Sequence, residues 1–233
     1  MRTLLLLALS VAYAAAVPVT VLNPSFEIAT LPMTFATGSV SNLVTGTIPL
    51  GGTVGNWTAF NAPNGNNVGA FAPNAAPQNW TTPWWTGSNV GYMQNYATGT
   101  TSGGLTQTLS TTYQADTVYT LTVDIGRRQF QIAGSSFGYA LELWAGSTLV
   151  GTASHLNLPL NSFGTDSLTA TVATGSAAIG QNIEVRLLSN GVFSEAYFDN
   201  IRLDATAAPE PGTCALLGIA FSALALLRHR RAG

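Results

Sequence analysis

The chain has 233 residues, a formal net charge of −2 and only 8% charged residues. It contains no lysine, and between Glu27 and Glu210 four arginines face ten acidic residues, a net charge of −6. This balance excludes a nucleic-acid-binding surface, which requires clustered cations. Cys214 is the only cysteine, so no disulfide can form within the chain and packing must stabilise the fold.

The first sixteen residues have the pattern of a secretory signal peptide. Arg2 supplies the positive charge, and Leu4 to Val11 form a short apolar run. Ala14 and Ala16 satisfy the small-x-small rule for cleavage after Ala16. A retained signal anchor is the alternative, but the apolar run is short for one. The pattern predicts a cleaved signal helix over residues 1–16 and export through Sec-type machinery.

The segment that follows the signal starts with a strand and continues into turn-rich sequence. Val19 to Ile28 reads as a strand that passes through Asn23-Pro24. Residues 29–101 are rich in Gly, Asn, Pro and Thr and carry four of the five tryptophans. Turn residues at this density predict long loops over a scaffold.

Short alternating strands are predicted from Gly104 onwards. In Tyr119 to Ile125 the odd positions are apolar, which is typical of a half-buried strand. Seven candidates are Gly104–Leu109, Val118–Ile125, Gly138–Trp144, Thr148–Ala153, Ser167–Val172, Ile183–Leu188 and Ala196–Leu203. The pattern predicts an all-β domain over residues 17–206, folded as an antiparallel jelly-roll β-sandwich.

Three motifs in this domain resemble galactose-binding-like jelly rolls, which include carbohydrate-binding modules. They are Asn23–Glu27, Val118–Gly126 and Phe198–Leu203. The resemblance implies that the first and last strands lie together and that Glu27 and Asp199 share a structural calcium ion. Backbone carbonyls would complete its six to eight oxygen ligands. In the alternative, Glu27 caps a turn and Asp199 pairs with Arg202 or backbone amides. No cofactor is otherwise required.

The aromatic residues of the loop-rich region suggest a sugar site. Pyranose rings stack on aromatic faces, and polar side chains bond their hydroxyls. The predicted ligand-binding residues are Trp80, Trp84, Trp85, Tyr92 and Arg127. The alternative is that these tryptophans pin the loops to the sandwich. Trp57 is assigned to the core.

Motifs for catalysis are weak in this sequence. Gly134-Ser135-Ser136-Phe137-Gly138 matches a nucleophile elbow, but a strand follows it and His155 precedes Asp166, which is the wrong order. Glycoside hydrolysis needs two carboxylates around one cleft. Nothing in the sequence brings any two of the carboxylates Asp124, Glu142, Glu184 and Glu195 together in that way. The chain is therefore predicted not to be an enzyme.

The last segment, residues 207–233, contains a proline motif, an apolar run and a basic cluster in succession. Pro209-Glu210-Pro211 ends the domain, an apolar run from Cys214 to Leu227 follows, and Arg228, Arg230 and Arg231 close the chain. A run without a polar face predicts a single transmembrane helix, with the arginines on the cytoplasmic side. The tail resembles the PEP-CTERM sorting signal, which implies processing by an exosortase in the inner membrane and delivery to the cell surface or extracellular matrix.

Together these features predict an exported surface or biofilm-matrix protein that binds extracellular polysaccharide without catalysis. Two alternatives stay open: a purely structural surface protein with no small-ligand site, and a secreted glycoside-active enzyme.

Overall fold

The computed structural model describes residues 15–27, 34–35, 38–42, 53–60, 67–73, 84–94, 103–127, 136–192 and 195–208. These residues form fourteen β-strands and no helix. The strands are β1 Val17–Val19, β2 Thr34–Phe35, β3 Gly38–Asn42, β4 Thr53–Val54, β5 Trp57–Phe60, β6 Asn67–Pro73, β7 Val90–Gln94, β8 Gly103–Thr112, β9 Thr117–Arg127, β10 Tyr139–Ala145, β11 Thr148–Ala153, β12 Ser162–Val172, β13 Asn182–Ser189 and β14 Glu195–Ala207.

The strands form two antiparallel sheets, so the predicted all-β class is confirmed. The larger sheet has the order β12-β9-β14-β7-β6-β3-β2, with β1 also paired to β14. The smaller sheet has the order β11-β10-β13-β8-β5-β4. The pairing of β1 with β14 brings the two ends of the domain together, with Val17 opposite Ala205.

Alternation along the strands creates the core between the sheets. On β9 the inward side chains Leu121, Val123 and Ile125 are fully buried, whereas the residues between them face away. On β14 the inward residues include Phe198 and Leu203. Because successive side chains point to opposite faces of a sheet, one face of the larger sheet packs on the core. The outer face is therefore available to bind a ligand.

The prediction of long loops over residues 29–101 is correct only in part. β6 and β7 lie in this stretch and are inner strands of the larger sheet. Glycine is used there for close packing: a Cβ at Gly91 would lie 2.3 Å from Cζ of the Phe26 ring. Small residues therefore reflect tight packing at this position, not only turns.

Trp57 lies in the core, as predicted. Its side chain is fully buried, its indole N–H donates to the carbonyl of Asn23 at 3.0 Å, and its ring packs 5.4 Å from the ring of Phe26.

Both predicted terminal helices lie outside the described residues. Neither the signal segment up to Ala14 nor the stretch from Pro209, which includes Glu210, Pro211, Arg228, Arg230 and Arg231, is described. Within the described ranges, no helix has the length and apolar character needed to cross a membrane.

Candidate functional site

Four aromatic side chains lie across the outer face of the larger sheet, and we call them the aromatic row: Phe163, Trp84, Tyr197 and Tyr92. Strand register explains the alignment. Phe163 on β12 and Tyr197 on β14 both pair with Gly126 on β9, and Tyr197 pairs with Tyr92 on β7. These positions alternate with the core residues Ile125, Phe198 and Met93, so the row points away from the core.

Trp84 fills the space above Gly126. A Cβ on Gly126 would lie 2.1 Å from Cζ2 of the indole, so only glycine allows the ring to sit there. The Trp84 and Phe163 rings are stacked, with centroids 6.1 Å apart and planes 15° apart. Trp85 meets Trp84 edge-on at 6.3 Å.

The other half of the row is the stacked pair Tyr92 and Tyr197, with ring centroids 6.0 Å apart. Both rings are almost sealed from solvent, at 5% and 1% exposure, and Trp84 is 8% exposed. Phe163 is 52% exposed and Trp85 is half-buried. The row is thus covered along most of its length and open at its Phe163 end.

A buried carboxyl lies beside the row. Glu195 precedes Tyr197 by two residues on β14 and therefore shares its face of the sheet. Its side chain is 5% exposed. The Tyr197 hydroxyl donates to Oε2 at 2.9 Å, and the Gln94 amide on β7 donates to Oε1. These two bonds fix the carboxyl at the edge of the tyrosine pair.

Asp199 is a second buried carboxyl on the same strand. It is fully buried and accepts the backbone N–H of Thr86 at 2.5 Å and of Asn200 at 2.7 Å. Burial raises the pKa of Asp199 to about 6, although these hydrogen bonds favour the carboxylate. Asn200 also donates through Nδ2 to Asp124 at 2.8 Å, which links β14 to β9.

Glu27 and Asp199 hold the same loop. Oε1 of Glu27 accepts the N–H of Ser88 at 2.9 Å and of Asn89 at 2.8 Å, next to the Thr86 amide that bonds Asp199. Glu27 accepts backbone amides, and Asp199 accepts backbone amides together with a hydrogen bond from the Ser25 side chain, which agrees with the capping and amide contacts expected in the alternative to calcium. Among the residues the structure describes, no group of three or more His, Cys, Asp or Glu side chains could hold a metal ion. Calcium at Glu27 and Asp199 stays a prediction.

The predicted ligand-binding residues are only partly brought together. Trp84, Trp85 and Tyr92 cluster on the outer face, whereas Trp80 lies outside the described residues. Arg127 points the other way: its Nη1 donates to the carbonyl of Leu158 at 2.6 Å, and its guanidinium lies 5.3 Å from the Phe137 ring. Burial lowers the pKa of Arg127.

Tyr197, Glu195 and Phe163 are not recognisable as one site in the sequence. They lie up to 34 residues apart, on β14 and β12, and only the strand order β12-β9-β14 makes them neighbours. The alternation of β14 would have placed Glu195 and Tyr197 on one face.

An open cavity of about 590 Å³ lies elsewhere, between β1 and the end of β8. Its lining is mostly Thr, Val and Ala, and its one titratable side chain is Tyr119, whose hydroxyl accepts the Gln114 N–H. Because it lacks an acid or base suited to catalysis near neutral pH, the aromatic row is the better candidate.

Comparison with known proteins identifies the family. The family model described as HpiC1-like, HpiC1 cyclase, matches residues 17–204. The chain belongs to the HpiC1-like family. No curated protein matches its sequence.

Solved structures agree with this membership. The HpiC1-like chain is 27% identical to the Stig cyclase Fisc from Fischerella sp. TAU in complex with (3Z)-3-(1-methyl-2-pyrrolidinylidene)-3H-indole, with a TM-score of 0.67 over 84% of this chain and 100% of that one. A cyclase from Fischerella sp. TAU in complex with 4-(1H-indol-3-yl)butan-2-one gives the same identity and TM-score, over 83% of this chain and 100% of that one. An arabinose-bound α-L-arabinofuranosidase, 12% identical with a TM-score of 0.52 over 83% of this chain and 27% of that one, shares the fold alone.

These findings overturn the identification of the chain as a PEP-CTERM protein with a galactose-binding-like, carbohydrate-binding domain. The motifs behind that identification serve the fold: Phe26, Phe198 and Leu203 are core residues, and Glu27 anchors a loop. Any sandwich of this kind needs such residues whatever it binds. The tail pattern lies beyond the matched residues and carries no information on the domain's activity.

The predictions of a non-catalytic glycan-binding surface protein and of exosortase, the inner membrane and polysaccharide as partners are wrong for the same reason. The family is a cyclase family, and the two reported Fischerella cyclase structures hold small indole compounds. The prediction that the chain is not an enzyme is also wrong. It depended on the linear order of Ser, Asp and His and on the lack of a paired-carboxylate cleft, which are relevant only to two types of catalysis.

Proposed function

We propose that the chain is a cyclase that closes a ring in a small, indole-like aromatic molecule at the aromatic row, with Glu195 as the proton-transfer residue. The observation that carries the proposal is a carboxyl only 5% exposed beside four aligned aromatic rings, in a chain of the HpiC1-like family. The fold is a jelly-roll sandwich in this proposal, as the likeness to Fisc favours.

The row suits a flat, uncharged ring. Aromatic pairs add stacking energy to the burial of apolar area, and a site lined by tyrosine and tryptophan orients a planar ligand. The matched cyclase structures contain indole compounds, which fit this chemistry. The ligand enters at the open end, between Phe163 and Trp85.

Glu195 supplies the acid and base that a cyclisation requires. In its protonated form it donates a proton to an alkene carbon of the substrate, which leaves a carbocation. The electron-rich ring attacks the neighbouring cationic carbon and forms the new C–C bond. Loss of the ring proton to the Glu195 carboxylate restores the aromatic system, so product and substrate have the same composition. Tyr197 and Gln94 hold the carboxyl in place, and burial strengthens its electrostatic effect.

The test uses the purified protein and Glu195→Gln, which keeps the shape of the side chain but cannot transfer a proton. We expect the wild type to bind 4-(1H-indol-3-yl)butan-2-one by calorimetry and to isomerise alkenyl-substituted indoles, followed by NMR. Glu195→Gln should retain binding and lose turnover by about 100-fold or more. The control is Glu142→Gln on the smaller sheet, where Glu142 accepts the Trp144 N–H.

Unchanged turnover in Glu195→Gln would reject the role of Glu195. Lack of both indole binding and isomerisation in the wild type would reject the proposed function.

A further proposal concerns the N-terminal end of the chain. The signal peptide over 1–16, cleavage after Ala16 and export are supported by β1 and the family match, which both begin at residue 17. Mass spectrometry of the mature N-terminus tests them.

A structural calcium ion at Glu27 and Asp199 is also proposed, and it is supported by the loop that both carboxylates hold. The calcium ion takes no part in the proposed cyclisation. Calcium should raise the melting temperature of the wild type and leave that of Asp199→Asn unchanged.

A further inference from the structure

The strand β12 has a long edge that no described strand covers. It stands last in the strand order of the larger sheet, and among the described residues it pairs only with β9, in continuous register over Ser162–Val172. The backbone groups of its other edge make no hydrogen bond to the backbone of any residue in the described ranges. Such an edge presents a row of unpaired N–H and C=O groups, which is a template for a further strand.

β12 lacks the features that normally protect an edge strand. It contains no proline, lysine or arginine, and no bulge interrupts its pairing with β9. Its only charged residue, Asp166, points inward, which blocks the addition of a strand where the charge needs water. This carboxylate is 5% exposed and is already held by Tyr139, His155 and Ser167, so an added strand would not remove it from water. By contrast, the edge strand β1 has three residues and includes Pro18.

The outward side chains of β12 suit pairing with a second copy of the same strand. Four of them are small hydroxyl residues and the fifth is a phenylalanine: Thr165, Ser167, Thr169, Thr171 and Phe163. Uncharged hydroxyl residues do not repel their own copies, and Thr–Thr and aromatic–β-branched pairs stabilise adjacent antiparallel strands. Phe163 is 52% exposed, so a neighbouring strand would also cover apolar surface.

We propose that β12 is an interface at which two copies of this chain pair edge to edge, in antiparallel orientation, about a two-fold axis at Ser167. Ser167 is the middle residue of Ser162–Val172, so this register pairs all eleven residues. The outward pairs are then Phe163 with Thr171, Thr165 with Thr169, and Ser167 with its own copy. Because the two-fold axis makes the contact isologous, the assembly closes with two copies.

The contact has the size of a weak, reversible dimer. Two strands of eleven residues pair over about 36 Å and form about ten backbone hydrogen bonds, a usual number for a protein interface. The two copies meet only along an edge, so the total buried area stays below about 1,200 Å² and we expect a micromolar Kd. The pairing extends the larger sheet sideways and leaves its outer face open, so this inference does not depend on the proposed function.

Sedimentation equilibrium of the full-length protein over the micromolar range tests the interface. Ser167→Lys places two like charges opposite each other and should raise the Kd of the dimer by about tenfold or more. Ser167→Glu should do the same. An equimolar mixture of the two variants should recover the dimer, because opposite charges then face each other. Ser110→Lys, at an exposed position on β8, is the control and should change the Kd by less than about twofold.

Cysteine cross-linking tests the register. In a Cys214→Ala background, Ser167→Cys should form a disulfide between two copies under mild oxidation. Directly opposed residues have Cα atoms about 4.5–5.5 Å apart, which is within the reach of a disulfide. Thr171→Cys should not cross-link, since the second copy of residue 171 would lie opposite Phe163, about 27 Å along the strand.

A wild type that stays monomeric up to about 0.5 mM, far above the expected Kd, would overturn the interface. A dimer that Ser167→Lys leaves intact, or that the mixture of charged variants does not recover, would overturn it as well. Loss of the dimer in Ser110→Lys alone would place the contact away from β12. Equal cross-linking of Ser167→Cys and Thr171→Cys would reject the register centred on Ser167.

Discussion

The Tyr139 hydroxyl on β10 donates to Oδ2 of Asp166 on β12 at 2.5 Å, so one hydrogen bond joins the two sheets. Asp166 is 5% exposed and also accepts the backbone N–H groups of His155 at 3.0 Å and Ser167 at 2.8 Å. Burial alone would raise the pKa of Asp166, but its hydrogen bonds, from Tyr139 first, more than offset burial and hold the pKa below its usual value.

Asp166 should make the fold sensitive to acid. A carboxyl with a lowered folded pKa stabilises the protein above its ordinary pKa of 3.8, and that stability is lost as pH falls through the lower folded value. Asp166→Asn should lower the free energy of unfolding at pH 7 by about 2–4 kcal/mol, because it breaks a buried network. Urea denaturation between pH 2 and pH 7 measures both effects. Asp116→Asn, in an exposed turn where Asp116 bonds Thr174, is the control. A variant curve parallel to that of the wild type would contradict the assignment.

Gly126→Ala should displace Trp84 from the row. The new Cβ would lie 2.1 Å from the indole Cζ2, and the ring is too rigid to yield without moving. We expect overpacking to lower the free energy of unfolding by about 1–3 kcal/mol and to change the tryptophan fluorescence. Gly164→Ala on β12 is the matched control, because its Cβ would meet the flexible end of Leu156 at 3.0 Å. Equal stability and fluorescence in both variants would refute the close packing of Trp84 on Gly126.

Trp57→Phe should destabilise the core. The phenyl ring leaves a cavity and cannot donate to the Asn23 carbonyl. The cavity and the lost hydrogen bond together should cost about 2–4 kcal/mol of unfolding free energy, measured by urea denaturation. Trp85→Phe, at a half-buried position, should cost less than half as much. The assignment of Trp57 to the core fails if the two variants are equally stable.

Arg186→Lys should weaken the outer face of the smaller sheet. The guanidinium lies between the rings of Phe60 and Trp144, 4.2 Å and 4.1 Å from their centroids, and its Nε bonds Glu184 at 2.6 Å. Lysine cannot stack on both rings while bonding Glu184. We expect the free energy of unfolding, measured by thermal or urea denaturation, to fall by about 1–2 kcal/mol.

Arg202→Lys is the control for this substitution. Arg202 is 54% exposed and lies 4.0 Å from Asp124, so lysine there should be nearly neutral. A similar loss in both variants would show that the two rings do not matter.

Part of the fold follows from the sequence because it depends on neighbours along the chain. The alternation of Tyr119, Leu121, Val123 and Ile125 predicts both β9 and its buried face. The strands between residues 29 and 101 are harder to predict, because their Gly, Ala and Asn residues also suit turns. β6 and β7 exist because flanking strands supply their hydrogen bonds and Phe26 requires a glycine opposite it.

The candidate site was likewise predictable only where its residues are neighbours along the chain. Trp84, Trp85 and Tyr92 were grouped by their nearness in sequence, and they do lie together. Arg127 is predicted at the site because it follows the Val118–Ile125 strand, where a loop-side pocket would lie, but it ends β9 with its side chain on the core side, one residue after the outward Gly126. A shift of one residue moves a side chain to the opposite face of a sheet.

By itself, the sequence determined the all-β class, the burial of Trp57 and a chain too poor in cations for nucleic acid, because these depend on residue type and local alternation. Only the tertiary structure decided that Phe163, Trp84, Tyr197 and Tyr92 form one row with Glu195 at its side. The physical reason is strand order: β12, β9, β14 and β7 meet through backbone hydrogen bonds that any sequence can make, so side chains far apart in the chain become neighbours without a local signal.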